Sequence, residues 1–146
     1  ALCRIKFKKQ KKLFLGNLYS KRDWGHAADY VEAMWKILQY KSPEDFVICT
    51  GKQYSIKEFI NLVSKELKLK IKWRGKGVRE KGYDESNNCV IECNKKYFRP
   101  AEVDTLKGDF TKARKLLKWR PKHDIKSLIK DMISYELENI NDQQKF

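Results

Sequence analysis

With 146 residues, 33 Lys and Arg against 19 Asp and Glu, and a formal net charge of +14, the chain has the length of one domain and favours anionic partners: nucleic acid, an acidic membrane surface or a phosphorylated small molecule. A hydrophobic content of 41% with 12% aromatic residues excludes a disordered chain, and a mean hydropathy of -0.74 predicts a folded domain with much polar surface. There is no signal peptide pattern and no long apolar stretch, so the expectation is neither secretion nor membrane spanning.

The opening Leu2-Cys3-Arg4-Ile5-Lys6-Phe7, followed by Lys8-Lys9-Gln10-Lys11-Lys12, predicts the last turns of a helix, with cations gathered where its dipole favours them. Together with a first residue that is Ala rather than Met, this reads as a piece of something longer. A short strand is expected at Leu13-Phe14-Leu15, ending at Gly16-Asn17, with a polar loop leading to Lys21-Arg22-Asp23-Trp24-Gly25-His26. From Ala27, the apolar set Tyr30, Val31, Met34, Trp35 and Leu38 has helical spacing and predicts an amphipathic helix that Ser42-Pro43 stops. Phe46-Val47-Ile48-Cys49 is an unbroken apolar run before Thr50-Gly51, the pattern of a strand covered on both faces in a parallel sheet.

Ser55-Ile56-Lys57-Glu58 is a capping box, and Ile56, Phe59, Ile60, Val63 and Leu67 continue the helix it starts. Ile71-Lys72-Trp73 reads as a short strand, residues 74–88 as a charged, Gly-containing loop, and Cys89 to Cys93 as a strand. Asp109 can cap a short helix bearing Phe110, Ala113, Leu116 and Leu117, which Pro121 ends. Asp124 then caps a last helix whose stripe is Ile125, Leu128, Ile129, Met132, Ile133, Leu137 and Ile140, with residues 141–146 a frayed tail.

Arg22 and Arg99 are the candidates for a diphosphate, because a guanidinium meets paired anionic oxygens with two charge-assisted hydrogen bonds and stays charged at every relevant pH. Asp23 can orient Arg22, which is expected just before a helix; Pro100 stiffens the turn holding Arg99. Glu102, three residues beyond Arg99, can face the same cavity and accept the two hydroxyls of a ribose, while Asp104 can brace Arg99 instead. Gly16 and Asn17 can bring an amide and nearby backbone to a base or phosphate, or serve only as a turn. His26 and His123 lie in separate segments without a nucleophile beside them, and His26 reads as a structural hydrogen-bonding residue at a helix start. Cys3, Cys49, Cys89 and Cys93 lack zinc-ligand spacing and suit a reduced cytoplasmic protein, so no metal is expected. Arg74-Gly75-Lys76-Gly77 lacks the strand-turn-helix setting of a dinucleotide loop, so no cofactor site is expected in this chain.

Leu15-Gly16-Asn17-Leu18, Lys21 to His26, Asp29-Tyr30-Val31-Glu32-Ala33-Met34-Trp35, Pro43 to Ile48 with Thr50-Gly51, and Tyr97-Phe98-Arg99-Pro100 with Glu102-Val103-Asp104 resemble, in order, successive blocks of the GDP-mannose 4,6-dehydratases. Gly108-Asp109 with Lys112-Ala113, and Trp119-Arg120-Pro121, extend the likeness to about Asn139. The resemblance implies an α/β fold: the C-terminal, nucleotide-sugar-binding part of an extended short-chain dehydrogenase (Rossmann-type) architecture, mostly helices with a few short strands, its N-terminal cofactor-binding part absent. Residues 46–49 would then be a strand of the absent sheet, leaving an apolar surface exposed. It further implies a full enzyme, homo-oligomeric and using bound NADP, that converts GDP-mannose to GDP-4-keto-6-deoxymannose. In that family the Tyr-x-x-x-Lys pair and the glycine-rich loop precede the matched blocks, so this chain would bind no NADP and be inactive alone. Arg22, Arg99 and Glu102 would serve diphosphate and ribose. The alternatives are another nucleotide-sugar dehydratase or epimerase, or a basic nucleic-acid-binding module supported by charge and by Lys and Arg near Trp73 and Trp119.

Overall fold

The computed structural model describes residues 1–99 and 101–142, with nothing said of the side chains at 141 and 142. Expectations for Pro100 and for residues 143–146 lie outside the described residues. Short elements dominate: α1 (Leu2–Lys6), β1 (Leu13–Leu15), β2 (Lys21–Asp23), α2 (Ala27–Leu38), β3 (Gln53–Ser55), α3 (Ile56–Glu66), β4 (Lys72–Arg74), β5 (Lys81–Tyr83), β6 (Cys89–Cys93), α4 (Thr111–Leu116) and α5 (Ile125–Asp142). Four strands form one sheet in the order β1-β6-β5-β4, with β1 parallel to β6 and the other pairs antiparallel. The antiparallel pair β2-β3 stands apart.

The α3 start follows from its sequence: Ser55 Oγ accepts the Glu58 N–H at 3.1 Å while the Glu58 carboxylate accepts the Ser55 N–H at 2.6 Å. These bonds from Ser55 hold the Glu58 carboxyl below the usual carboxylate range. Asp124 caps α5 by accepting the N–H groups of Lys126 and Ser127, and Asp109 accepts the Thr111 N–H at the start of α4. The main core joins α1, α3 and α5 to β1 and β6 through Leu2, Ile5, Leu18, Ile60, Leu67, Val90, Ile91, Ile125, Ile129 and Ile133. A second cluster centres on Ala33, Ala113, Leu117 and Trp119.

The structure departs from the sequence reading in four places. Residues 74–88 are no open loop, because they hold a 3-10 turn (Gly77–Arg79) and the strand β5, and β4 sits one residue later than expected. Arg22, expected just before a helix with no strand of its own, lies within β2, paired to Tyr54. The α2 stripe is turned outward: Val31, Met34, Trp35 and Leu38 are 61–80% exposed, and the buried face is built from Asp29 and Ala33, with Tyr30 and Ile37 beside them. Finally, residues 46–49 run without any strand ladder among the described residues, although the segment at Gly108 packs against Val47 and Cys49. Phe46 and Ile48 pack on the second core cluster while Val47 is 55% exposed.

Candidate functional site

A cleft of about 390 Å³ opens beyond the end of β1 and is lined by Leu15, Gly16, Asn17, Ser20, Arg22 and Ile56 on one side, and by Lys96, Tyr97, Arg99 and Glu102 on the other. All five residues singled out in the sequence, Gly16, Asn17, Arg22, Arg99 and Glu102, meet there. Its size suits a small ligand.

The first wall is the turn after β1. Asn17 uses its side chain internally: its Nδ2 donates to Ser20 Oγ at 2.8 Å and its Oδ1 accepts the Tyr19 N–H at 2.8 Å. Asn17 therefore shapes the turn, and its side-chain amide is already committed. Gly16 is required by packing: a Cβ there would overlap the carbonyl of Tyr97, at the end of the 3-10 turn (Lys95–Tyr97) that forms the opposite wall. Gly16→Ala is expected to push that turn outward, lowering the unfolding free energy by about 1–3 kcal/mol in a denaturant titration. A change below about 0.5 kcal/mol would mean the two walls are not in contact.

Arg22 is braced from across the cleft. Its Nη1 donates to the carbonyls of Lys21 and Val103, both at 2.7 Å, and its Nη2 pairs with the Glu102 carboxylate. Three of the five guanidinium donors are thus taken by groups that fix its plane, and two remain for a ligand. Asp23, expected to orient Arg22, does something else: strand alternation points it the other way, where it accepts the Thr50 N–H, the Thr50 hydroxyl and the Gly51 N–H at 2.6–2.9 Å. Gly51 has φ +73°, the left-handed backbone that lets its N–H reach Asp23.

Glu102 reaches the cleft because its N–H closes a turn onto the Arg99 carbonyl at 3.2 Å. The segment after it is pinned to β2: the Asp104 carbonyl accepts the Lys21 N–H at 2.8 Å, and Thr105 bridges Lys21. Arg99 is exposed and unconstrained by any ion pair among the described residues. With Lys96 it gives the cleft three cations against the Glu102 carboxylate, so the field favours an anion carrying more than one charge.

Sequence reasoning missed Leu15, Ser20, Ile56, Lys96 and Tyr97 among the lining residues. Lys96 and Tyr97 immediately precede the Arg99 motif, so proximity was the available signal; Ser20 and Ile56 come from β-turn and helix positions that only the fold brings close. His26 caps α2, its Nδ1 accepting the Ala28 N–H at 3.1 Å, and stacks on His123 with ring centroids 4.2 Å apart. A second cavity of about 330 Å³, between α1, α3 and α5, is apolar and lined by residues such as Trp24, Phe59, Ile60 and Met132. Among the described residues no group of His, Cys, Asp and Glu could hold a metal, and no helix is long and apolar enough to cross a membrane.

Comparison with known proteins adds an independent measure. Residues 1–132 match the family model described as GDP-mannose 4,6 dehydratase. The chain is 48% identical over 135 residues to the GDP-mannose 4,6 dehydratase of Dictyostelium discoideum, covering 92% of this chain and 38% of that protein. Against the Homo sapiens GDP-mannose 4,6 dehydratase it is 46% identical over 125 residues, covering 85% and 34%. The chain thus spans little more than a third of these curated relatives. Among solved structures, RMD from Pseudomonas aeruginosa complexed with NADPH aligns with TM-score 0.70 at 19% identity, covering 91% of this chain and 38% of that one. UDP-glucose 4-epimerase from Bifidobacterium longum in complex with NAD+ and UDP gives TM-score 0.70 at 16% identity, covering 96% and 39%. These likenesses fix the fold as α/β, part of the Rossmann-type short-chain dehydrogenase architecture of nucleotide-sugar epimerases and dehydratases. By sequence, over nearly all of its length, the chain belongs to the GDP-mannose 4,6-dehydratase family.

Proposed function

We propose that this chain supplies the nucleotide-sugar-binding side of a GDP-mannose 4,6-dehydratase, a lyase that converts GDP-mannose to GDP-4-keto-6-deoxymannose. The observation that carries this reading is the convergence of Gly16, Asn17, Arg22, Arg99 and Glu102 on one cationic cleft from segments up to 86 positions apart. Arg22 and Arg99 take the diphosphate, Arg22 through its two remaining donors. Glu102, whose Oε1 pairs with Arg22, offers its other carboxylate oxygen to the ribose hydroxyls. Gly16 and Asn17 build the wall rather than touch the ligand with their side chains.

The exposed α2 stripe, and Val47 in the ladderless run 46–49, are apolar surface that is costly to leave in water. We assign it to docking against a sheet carried by the rest of a longer polypeptide, with 46–49 joining that sheet as a strand. NADP, and the residues that hold it, belong to that same part and to the homo-oligomeric enzyme it completes. Here Arg74-Gly75-Lys76-Gly77 leads from β4 into a 3-10 turn rather than the helix that a dinucleotide loop opens. This chain alone is then expected to bind sugar nucleotide without turning it over. Four free thiols, two of them buried, support a reduced cytoplasmic setting.

The nucleic-acid alternative loses its best residue, because Trp119 is 1% exposed and its Nε1 donates to the Asp29 carbonyl, leaving no face for a base. Titration calorimetry with GDP-mannose, UDP-glucose and a short DNA duplex, repeated with Arg99→Ala, tests the choice. Preference for GDP-mannose that disappears in the variant supports the proposal. Salt-sensitive DNA binding without sugar-nucleotide binding overturns it in favour of simple electrostatics. Silence with all three overturns the reading of this cleft as a nucleotide site of the chain.

A further inference from the structure

Beside the cleft lies a polar cluster, built on one buried carboxylate and reaching the half-exposed Tyr19, that the sugar-nucleotide reading leaves unexplained. Glu80, between the 3-10 turn and β5, is 5% exposed. One carboxylate oxygen accepts the Tyr19 hydroxyl, and the other accepts Lys57 Nζ at 2.7 Å. The Lys57 ammonium also lies 5.2 Å from the ring centroid of Trp73 and 5.9 Å from that of Tyr19, while Trp73 Nε1 donates to Asn61 Oδ1 at 2.8 Å. A single carboxylate thereby ties α3, β4 and the approach to β5 to the centre of the turn that walls the cleft.

Burial pushes the Glu80 carboxyl up, but the hydrogen bonds from Lys57 and Tyr19 outweigh it and hold the group ionised, below the usual carboxylate range. Burying such a charge is expensive, and an apolar side chain would fill the position at lower cost. Nor is the carboxylate needed merely to anchor the turn. Leu18 is fully buried, its carbonyl accepts the Lys57 N–H at 2.9 Å, and the Ser20 carbonyl accepts the Ile56 N–H at 3.3 Å. What Glu80 adds is a directional hold on Tyr19, whose N–H meets Asn17 Oδ1 and whose neighbours Asn17 and Ser20 line the cleft.

We propose that Glu80 is a positioning residue of the nucleotide cleft, acting through the Tyr19 hydroxyl to fix Asn17 and Ser20 opposite Lys96 and Arg99. This rests on the reading of the cleft as a nucleotide site. Tyr19→Phe removes only the hydroxyl and keeps the ring against Lys57; Glu80→Gln keeps shape and an acceptor while removing the charge. The experiment is calorimetric titration of the chain with GDP, for the unaltered protein, each variant and the double variant, at a temperature where circular dichroism shows all four folded. Positioning predicts that each single variant weakens GDP binding by about tenfold and that the double variant loses no more than the worse single one, since both cut the same link. A purely structural cluster would lower the unfolding midpoints and leave the GDP dissociation constant unchanged, which overturns the proposal. Losses that multiply in the double variant overturn the route through Tyr19. If the unaltered chain binds no GDP, the cleft reading itself falls and takes this proposal with it; binding that is indifferent to both substitutions removes this proposal alone.

Discussion

Asp29→Asn is expected to lower the unfolding free energy by about 2 kcal/mol. Asp29 sits in the first turn of α2 at 2% exposure, and its carboxylate has three donors: His123 Nδ1 at 2.8 Å and the N–H groups of Lys122 and His123 at 3.0 Å each. Its carbonyl accepts Trp119 Nε1 at 3.0 Å. The residue thus clasps α2 to the segment that turns from α4 into α5. The Lys122 and His123 N–H groups share one carboxylate oxygen and His123 Nδ1 meets the other, so an asparagine that keeps the backbone pair on its Oδ1 turns its NH2 toward the His123 ring and loses the charge that strengthens all three bonds. Denaturant unfolding of the two proteins measures the difference; a loss under about 0.5 kcal/mol would show that the clasp is dispensable.

The same residue gives a pH dependence with a defined sign. Burial pushes the Asp29 carboxyl up, but the hydrogen bonds from the His123 N–H and ring and the Lys122 N–H outweigh it, leaving the group lowered from its ordinary value. A carboxyl lowered on folding contributes stability that is complete above the ordinary carboxylate range and is lost as pH falls through the lowered value. Acid unfolding that steepens below about pH 4 is therefore expected, and Asp29→Asn should flatten it.

Arg22→Ala is expected to weaken GDP binding by about a hundredfold, or about 2.7 kcal/mol, because it removes both remaining guanidinium donors and the charge beside the diphosphate. Arg22→Lys separates charge from shape. A lysine keeps the cation but cannot hold the Lys21 and Val103 carbonyls, the Glu102 carboxylate and a phosphate in one plane, so a loss of about tenfold is expected from it. Calorimetric titration with GDP checks both, with unfolding midpoints recorded alongside. Equal affinity for the Lys variant and the native chain would mean that Arg22 contributes charge alone.

Much of this arrangement could be read from local pattern. The capping box at Ser55 and the α5 stripe act within a few residues, and the structure keeps the first and all of the second but Met132, which is exposed. The cleft residues were legible because arginine, glycine and glutamate sit in blocks whose chemistry suits a diphosphate. Their partners were not legible. Arg22 is braced by Glu102, 80 positions away, and Asp29 by His123, 94 positions away, so adjacency wrongly favoured Asp23 as the brace and gave no hint of the Asp29 clasp. The polar strands Lys21–Asp23 and Gln53–Ser55 carry no alternation of apolar residues, and form because each has the other to pair with. Periodicity found α2 but misplaced its inner face, since a helix apolar on two sides does not say which side the chain itself covers. The run 46–49 has a strand's composition without a strand's neighbour.

The cleft is tested most directly by titrating the isotope-labelled chain with GDP and following backbone amide shifts by NMR. Binding at the site predicts saturable shifts concentrated at Gly16, Asn17, Ser20, Arg22, Arg99 and Glu102, persisting at raised salt. Shifts centred on the apolar cavity around Trp24, Phe59 and Met132, or scattered over surface lysines and erased by salt, would contradict it.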